Sequence, residues 1–399
     1  MVTSLDILNE SFLDDPYPTY AAMRADESIS YLRNFSNTVI ISRLADVEQI
    51  LKDPNALIRP ELEGVPKLYC GGPAGLLWKS SMSLIDGVNH TRLRRVVSGA
   101  LSPTKVLQLA PLVESTIQGA LDEVLEKRVF DGVSEFSSVI PMKIICSLLQ
   151  IPESDWGLLE SWTADFIRIF VPEGNTSEDV LRIHTAAGMF MEYFANLLRS
   201  CEKGSNESLT SIVASAVQRG DISEIEAVAT LRGMFTAGFE TTAASIAALL
   251  LCLSNDPSLL VRFRQTPELI EPSIDELLRW ESPVQLVTRS VTTPTQLGND
   301  LITPDHTMWL MIGSANHDDH HYQDPNKFNP GRADIVNLAF GGGRHRCAGA
   351  ALAKLELVMT LRGLVNSVES VVINPGEVVR SRNFQFRSIK ALRAEFVIK

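Results

Sequence analysis

FGGGRHRCAGAALAKLE, Phe340 to Glu356, sets four glycines, two arginines and a histidine around one cysteine and then passes into an apolar helical pattern. Gly341, Gly342 and Gly343 allow positive φ or a close approach of the backbone to a flat partner, and Gly349 removes a side chain just past the cysteine. Cys347 stands where the apolar period of ALAKLELVMTLRGLV begins, which predicts a sulfur near a helix N-terminus and between Arg344, His345 and Arg346. Both surroundings favour the thiolate. A bare GGG followed by Cys fits a glycine-rich turn with an incidental cysteine better, so the wider chain has to decide.

The other four cysteines, Cys70, Cys146, Cys201 and Cys252, are scattered without the paired spacing of a disulfide framework or zinc site, and they read as small buried hydrophobes. With 45% hydrophobic and 21% charged residues among 399, the chain has material for a sizeable core. No linker or repeat offers a cut, which predicts one domain over residues 1–399. A net charge of −12 argues against nucleic acid as a partner. MVTSLDILNESFLDDP lacks a basic n-region and carries Asp6, Glu10, Asp14 and Asp15, and the apolar run from Ala243 to Leu253 is short for a bilayer span. A cytoplasmic protein with no membrane partner is expected.

Asn37 to Ser42 (NTVIIS) has strand character, and LADVEQILKD has helical spacing. From about Asn89 to Arg279 nearly everything reads as helix, including HTRLRRVVSGAL, LQLAPLVESTIQGALDEVLEK and one run from Ile222 to Leu253 long enough to cross most of a domain. Pro283, Pro294, Pro304, Pro325 and Pro330 then punctuate strands and loops, and a β-like tail covers Arg393 to Ile398. The fold class is mainly α with a small β portion.

The full spacing Phe340-Gly341-x-Gly343-x-His345-x-Cys347-x-Gly349-x-x-Leu352-Ala353-x-x-Glu356 resembles the haem-binding loop of the cytochrome P-450 family. The resemblance, which runs from Asp15-Pro16-Tyr17-Pro18 onward, implies that fold, with the long central helix crossing over haem b and the Cys347 thiolate as iron ligand. Ala237-Gly238-Phe239-Glu240-Thr241-Thr242 resembles the oxygen-activation motif, with Glu240 and Thr241 as its acid and alcohol. A bond from Thr241 back to the Ala237 carbonyl would open the helix beside Gly238. Glu276 and Arg279, joined by Arg332 of FNPGR, resemble the charged triad that holds the haem loop. Arg289, His90 and Arg94 resemble propionate contacts, with His345 as another.

The same resemblance implies a pocket walled by the loop from about Cys70 to Leu84, by Phe235 and Ala237, by Val284 to Val287, and by Phe384 to Phe386, with Gln285 and Gln385 as polar anchors. The implied reaction places one oxygen atom of O₂ into a small to medium hydrophobic substrate, with electrons from a ferredoxin and its NAD(P)H-dependent reductase, since the length leaves no room for a fused electron-transfer domain. Arg344, Arg346 and Lys354, with Arg92 and Arg95, form a basic set suited to an acidic ferredoxin. A peroxygenase or a non-catalytic haem sensor is the alternative, and neither requires the acid and alcohol pair. Departures are Lys354 in place of arginine, Thr38-Val39 where a tryptophan is common, and the loop Ala315 to Tyr322, whose His317, His320 and His321 leave metal binding open.

Overall fold

In the computed structural model, which describes residues 9–25, 30–31, 37–58, 65–170, 175–201 and 208–398, the β-branched run Thr38–Ile41 is a strand buried at all four positions. It belongs to a five-stranded sheet of β1 (Ser30–Tyr31), β2 (Thr38–Ile41), β3 (Ala56–Leu57), β4 (Val287–Val291) and β5 (Thr307–Leu310), in the order β1-β2-β5-β4-β3. β2 and β5 run parallel, with Thr38 opposite Thr307 and Ile41 opposite Leu310. The other pairs are antiparallel.

Eight helices matter for the site: α1 (Leu44–Lys52), α2 (Pro73–Ser80), α3 (Gly87–Ala100), α4 (Val139–Leu149), α5 (Trp156–Phe166), α6 (Glu224–Asn255), α7 (Ile270–Trp280) and α8 (Ala350–Ser367). The segment LQLAPLVESTIQGALDEVLEK is two helices, Pro103–Gln108 and Ala110–Lys127, rather than one. Pro111 sits in the first turn of the second, where its missing N–H has no helical partner to lose. The tail Arg393–Ile398 is a strand paired with Val368–Ile373 and Val129–Asp131.

The chain divides into two compact units, each built from separated segments. Unit 1 holds Met1–Leu57, Leu107–Pro141 and Glu240–Lys399, and unit 2 holds Ile58–Val106 and Met142–Phe239. In unit 1, α1 turns Leu44, Val47, Ile50 and Leu51 inward because they recur at helical spacing, and they meet Val39, Ile41, Met308, Leu310 and Leu338. In unit 2, Phe190 of the helix Ser177–Ser200 packs edge-on against Trp162 and Phe166 of α5.

α6 has 32 residues, so length no longer argues against a membrane span, as the shorter run Ala243 to Leu253 had suggested. Burial does: 72% of its apolar window is inside the protein, as in the core helix of a soluble fold.

Candidate active site

The cysteine loop is held by its own backbone. Gly341 N–H donates to the Leu338 carbonyl at 2.7 Å, Arg346 N–H to Gly343 at 3.2 Å, and Cys347 N–H to Phe340 at 2.8 Å. Closing the loop this way leaves the Cys347 side chain exposed, three residues before α8 begins. Gly341 and Gly343 have φ of 65° and 61°, which L side chains rarely adopt. A Cβ on Gly343 would lie 2.1 Å from the Leu51 carbonyl oxygen, and one on Gly342 would lie 3.2 Å from Leu51 Cβ. Gly343 takes the positive φ that the sequence allowed for, and Gly342 and Gly343 also serve the approach of the loop to α1. Gly349 is the residue beside the sulfur: a Cβ there would lie 4.0 Å from Cys347 Sγ.

Cys146 and Cys252 are buried, and burial pushes the Cys146 thiol up to about 12 and the Cys252 thiol higher than its usual range. Cys70 is exposed, but its Sγ lies 3.7 Å from the Val65 and Pro66 carbonyls in a short turn. Cys347 alone joins exposure to the glycine loop and the start of a long helix.

The charged triad is complete. Arg279 Nε and Nη2 donate to the two oxygens of Glu276 at 2.7 and 2.8 Å, and Arg332 Nε donates to the same carboxylate at 3.0 and 3.1 Å. The Asn329 N–H adds a bond at 2.9 Å, and Arg279 Nη1 reaches the carbonyls of Asn316 and Pro325. Both guanidinium groups lie over the Tyr322 ring. The cluster thus ties α7 to the stretch 316–332 ahead of the cysteine loop, and Asn316 carries the tie onward by accepting the Leu338 N–H at 3.0 Å.

Along α6 the accessible or half-buried positions between residues 233 and 244 are Gly233, Met234, Ala237, Gly238, Glu240, Thr241 and Ala244. That spacing of three and four makes one stripe on a stretch that is otherwise buried, and the acid and the alcohol both stand on it. The helix is assigned as α through this stretch. Gly238 has a packing necessity: a Cβ there would lie 2.9 Å from Ile145 Cγ1 on α4. Thr236 and Ser245 hydroxyls bond back to the carbonyls of Arg232 and Thr241 at 3.0 and 2.9 Å.

Three expected pocket residues need correction. Phe235 is fully buried against Phe239, because two residues along an α-helix turn about 200° and take it away from exposed Ala237. Gln285 is no anchor: its Oε1 accepts the Tyr20 hydroxyl at 3.0 Å and its Nε2 donates to the Ser282 carbonyl at 2.7 Å. Phe384 stacks on Trp309 with centroids 5.3 Å apart. Gln285 and Phe384 line a small cavity with Phe12, Tyr20 and Arg387 instead. Val284, Val287 and Gln385 stay half-buried, and an isolated bridge between Val284 and Phe386, with Gln285 N–H on the Gln385 carbonyl at 2.8 Å, brings those two walls together.

Unit 1 also holds Arg289, 4% exposed on β4, and half-buried His345; unit 2 holds His90, 4% exposed, and half-buried Arg94, four apart on one face of α3. The histidine-rich loop has a structural role. His317 Nδ1 bonds to the Gly313 carbonyl at 3.0 Å, its ring packs 4.3 Å from Tyr17, and burial with nearby Arg279 lowers its pKa to about 3, which keeps it neutral. Asp318 accepts the Leu44 N–H at the start of α1 at 2.8 Å. Among the described residues no group of three metal-ligating side chains forms, here or elsewhere. Glu356 of the loop motif is 2% exposed, its Oε2 has no hydrogen-bond partner, and burial raises its pKa well above the usual carboxylate range.

These features fit a haem: an exposed cysteine on a loop closed behind it, buried or half-buried cations, and an accessible stripe bearing an acid and an alcohol. The family model for cytochrome P450 matches residues 173–386. A relative from Mycobacterium tuberculosis, putative cytochrome P450 123, is 30% identical over 97% of this chain and 96% of its own. The biotin biosynthesis cytochrome P450 of Bacillus subtilis is 26% identical over 99% and 100%. Among solved structures, CalO2 superimposes with a TM-score of 0.91 at 26% identity, covering 99% of both chains. P450BioI in complex with an acyl carrier protein carrying hexadec-9Z-enoic acid gives 0.89 at 26%, covering 97% of this chain and 100% of that one. The chain belongs to the cytochrome P450 family, and is a haem-thiolate oxidoreductase of the monooxygenase class.

Proposed function

We propose that this chain inserts one oxygen atom of O₂ into a small to medium hydrophobic substrate, with Cys347 as the iron ligand and Glu240 and Thr241 as the proton-handling pair. The observation that supports the reading is the stripe on α6, where half-buried Glu240 and Thr241 are adjacent on a helix whose apolar window is mostly buried. Haem, when bound, supplies electron transfer to O₂ and the oxidising power for the substrate. The chain's own residues do the rest. Glu240 is the acid, and the Thr241 hydroxyl accepts or passes a proton at Oγ1. Arg289, His90, Arg94 and His345 are the candidate propionate contacts. Half-buried Val284, Val287 and Gln385 and exposed Ala237 remain as pocket lining, which favours an apolar substrate. The biotin-biosynthesis relative and the acyl-carrier complex of P450BioI make an acyl chain a fitting hydrophobic body.

Electrons come from an external ferredoxin with its reductase, and the basic set that would meet it is smaller than the sequence implies. Lys354 pairs with Asp275 at 2.6 Å, Arg92 forms a two-point pair with Glu226, and Arg344 donates to the Pro54 carbonyl at 2.6 Å. Arg95, Arg344 and Arg346 keep exposed side chains, and steering rests on them. A cytoplasmic location and a single catalytic domain complete the proposal. Interleaving of the two units along the chain supports the latter, because neither unit is a continuous piece.

Thr241→Ala tests the proton-handling role. Substrate binding, read as a haem spectral shift, is expected to hold within about twofold, while hydrogen peroxide released per reductant consumed rises by about tenfold or more. An unchanged coupling ratio would remove Thr241 from the mechanism.

A further inference from the structure

The loop that carries Gln385 sits on a hairpin that is weak by itself. Its arms, Val379–Arg380 and Ile389–Ala391, are strands of two and three residues, with an irregularity between Val379 and Arg380. A two-stranded ribbon this short does not keep its shape alone in water, so contacts from outside the hairpin have to place its tip. Phe384 on Trp309 is one such hold. The other is a single carboxylate oxygen: Arg380 Nη1 from one arm and Arg387 Nε from the other both donate to Glu281 Oε1, each at 2.7 Å.

Glu281 caps the end of α7 and is 8% exposed. The Tyr17 hydroxyl donates to its Oε2 at 3.3 Å, and the Arg387 guanidinium lies 5.3 Å over the Tyr17 ring. Burial raises the Glu281 carboxyl, but Arg387 and Arg380 outweigh it and hold the group below the usual carboxylate range, so it is ionised at neutral pH. Among the described residues neither arginine pairs with another carboxylate. A buried ion pair adds little stability over an apolar set of the same shape, whereas its directed, charge-assisted bonds fix geometry. The seam continues along the backbone. The Arg387 N–H donates to the Pro283 carbonyl at 2.8 Å, and the Gln285 N–H to the Gln385 carbonyl at 2.8 Å. Asn383 Oδ1 accepts the N–H groups of Gln385 and Phe386 at 2.9 and 3.0 Å, which shapes the tip. All of these residues belong to unit 1.

We propose that Glu281 is a positioning residue for the substrate wall: by drawing both arms of the hairpin to one oxygen, it holds Gln385 and Phe386 beside Val284 and sets the shape that an apolar substrate meets. Glu281 itself touches no substrate and acts through the loop. This rests on the reading of Val284, Val287 and Gln385 as pocket lining and adds what fixes that lining in place.

The test uses the haem-loaded protein and two probes that bind iron through nitrogen but differ in apolar body, imidazole and 1-octylimidazole, each titrated by the haem spectral shift. In the wild type the octyl compound is expected to bind at least about tenfold tighter, because its chain is buried against the wall. Glu281→Ala should remove most of that advantage while the imidazole constant stays within about twofold and the ferrous carbonyl absorption is kept. Arg380→Met and Arg387→Met each free one arm and should remove part of it; Glu281→Gln keeps a neutral acceptor at Oε1 and should remove least. Val371→Ala, a change at a 2% exposed position in a different sheet of unit 1, should lower stability and leave the advantage intact, which a merely structural role for Glu281 would not distinguish. If Glu281→Ala does not hold haem, Arg380→Met, whose side chain is 26% exposed, decides. An advantage unchanged in the deciding variant, or one that falls as far in Val371→Ala, overturns the assignment while the pocket reading stands. No octyl advantage in the wild type would remove the wall, and the assignment with it; a spectrum that neither probe shifts would count against the haem site itself.

Discussion

Cys347→Ser is expected to abolish oxygenase turnover and the red-shifted ferrous carbonyl absorption that marks thiolate ligation, with haem content falling to a small fraction of wild type. A hydroxyl is a far weaker and harder ligand than a thiolate, and nothing else in the loop offers sulfur. The loop itself should survive, because the bond that closes it runs from the Cys347 backbone N–H to Phe340 and does not involve the side chain. Serine at Cys70, Cys146, Cys201 or Cys252 should leave the absorption in place. Cys146 and Cys252 have thiols pushed up by burial, and Cys201 is shifted the same way. A Cys347→Ser protein with the wild-type carbonyl spectrum would end the ligand assignment.

Glu276→Ala should be the most destabilising single change in unit 1. It removes the one carboxylate shared by Arg279, whose side chain is 0% exposed, and Arg332, at 9%, and it also orphans the Asn329 N–H. Two guanidinium groups would be left buried without a counter-charge, at a cost of about 3–5 kcal/mol against a total stability of about 5–15 kcal/mol. The expected result is a drop of that size in urea unfolding, together with lost haem, since the stretch 316–332 leads into the loop. Glu276→Gln keeps an acceptor for Asn329 and should cost less. A loss within about 0.5 kcal/mol of wild type would show that the cluster does not hold the loop.

What the sequence disclosed follows from how local each signal is. The strand at Thr38–Ile41, the helix at Leu44–Lys52 and the long α6 were legible because their apolar residues repeat at the period of the element itself. The triad was legible only through the family pattern, since Arg332 lies 53 residues beyond Arg279 and no local rule joins them. Residue direction was the weak point. Gln285 sits beside Val284 on an extended segment, where neighbours face opposite ways, and Phe235 lies two positions before Ala237 on a helix, so each pair was assigned to one wall when only one member can reach it. The freedom of φ at Gly341 and Gly343 was legible, but the second requirement at Gly343, the carbonyl of Leu51 292 positions earlier, has no local signal.

The most direct test of the account compares two ways of driving the same purified protein with an accepted substrate. In one, NAD(P)H, a ferredoxin reductase, ferredoxin and heavy-isotope O₂ are supplied; in the other, hydrogen peroxide alone. An oxygenase that uses the Glu240 and Thr241 pair should form product with one labelled oxygen in the first and little product in the second, and Thr241→Ala should narrow the gap. Product formed as fast from peroxide alone, or carrying no label from O₂, would contradict the monooxygenase account.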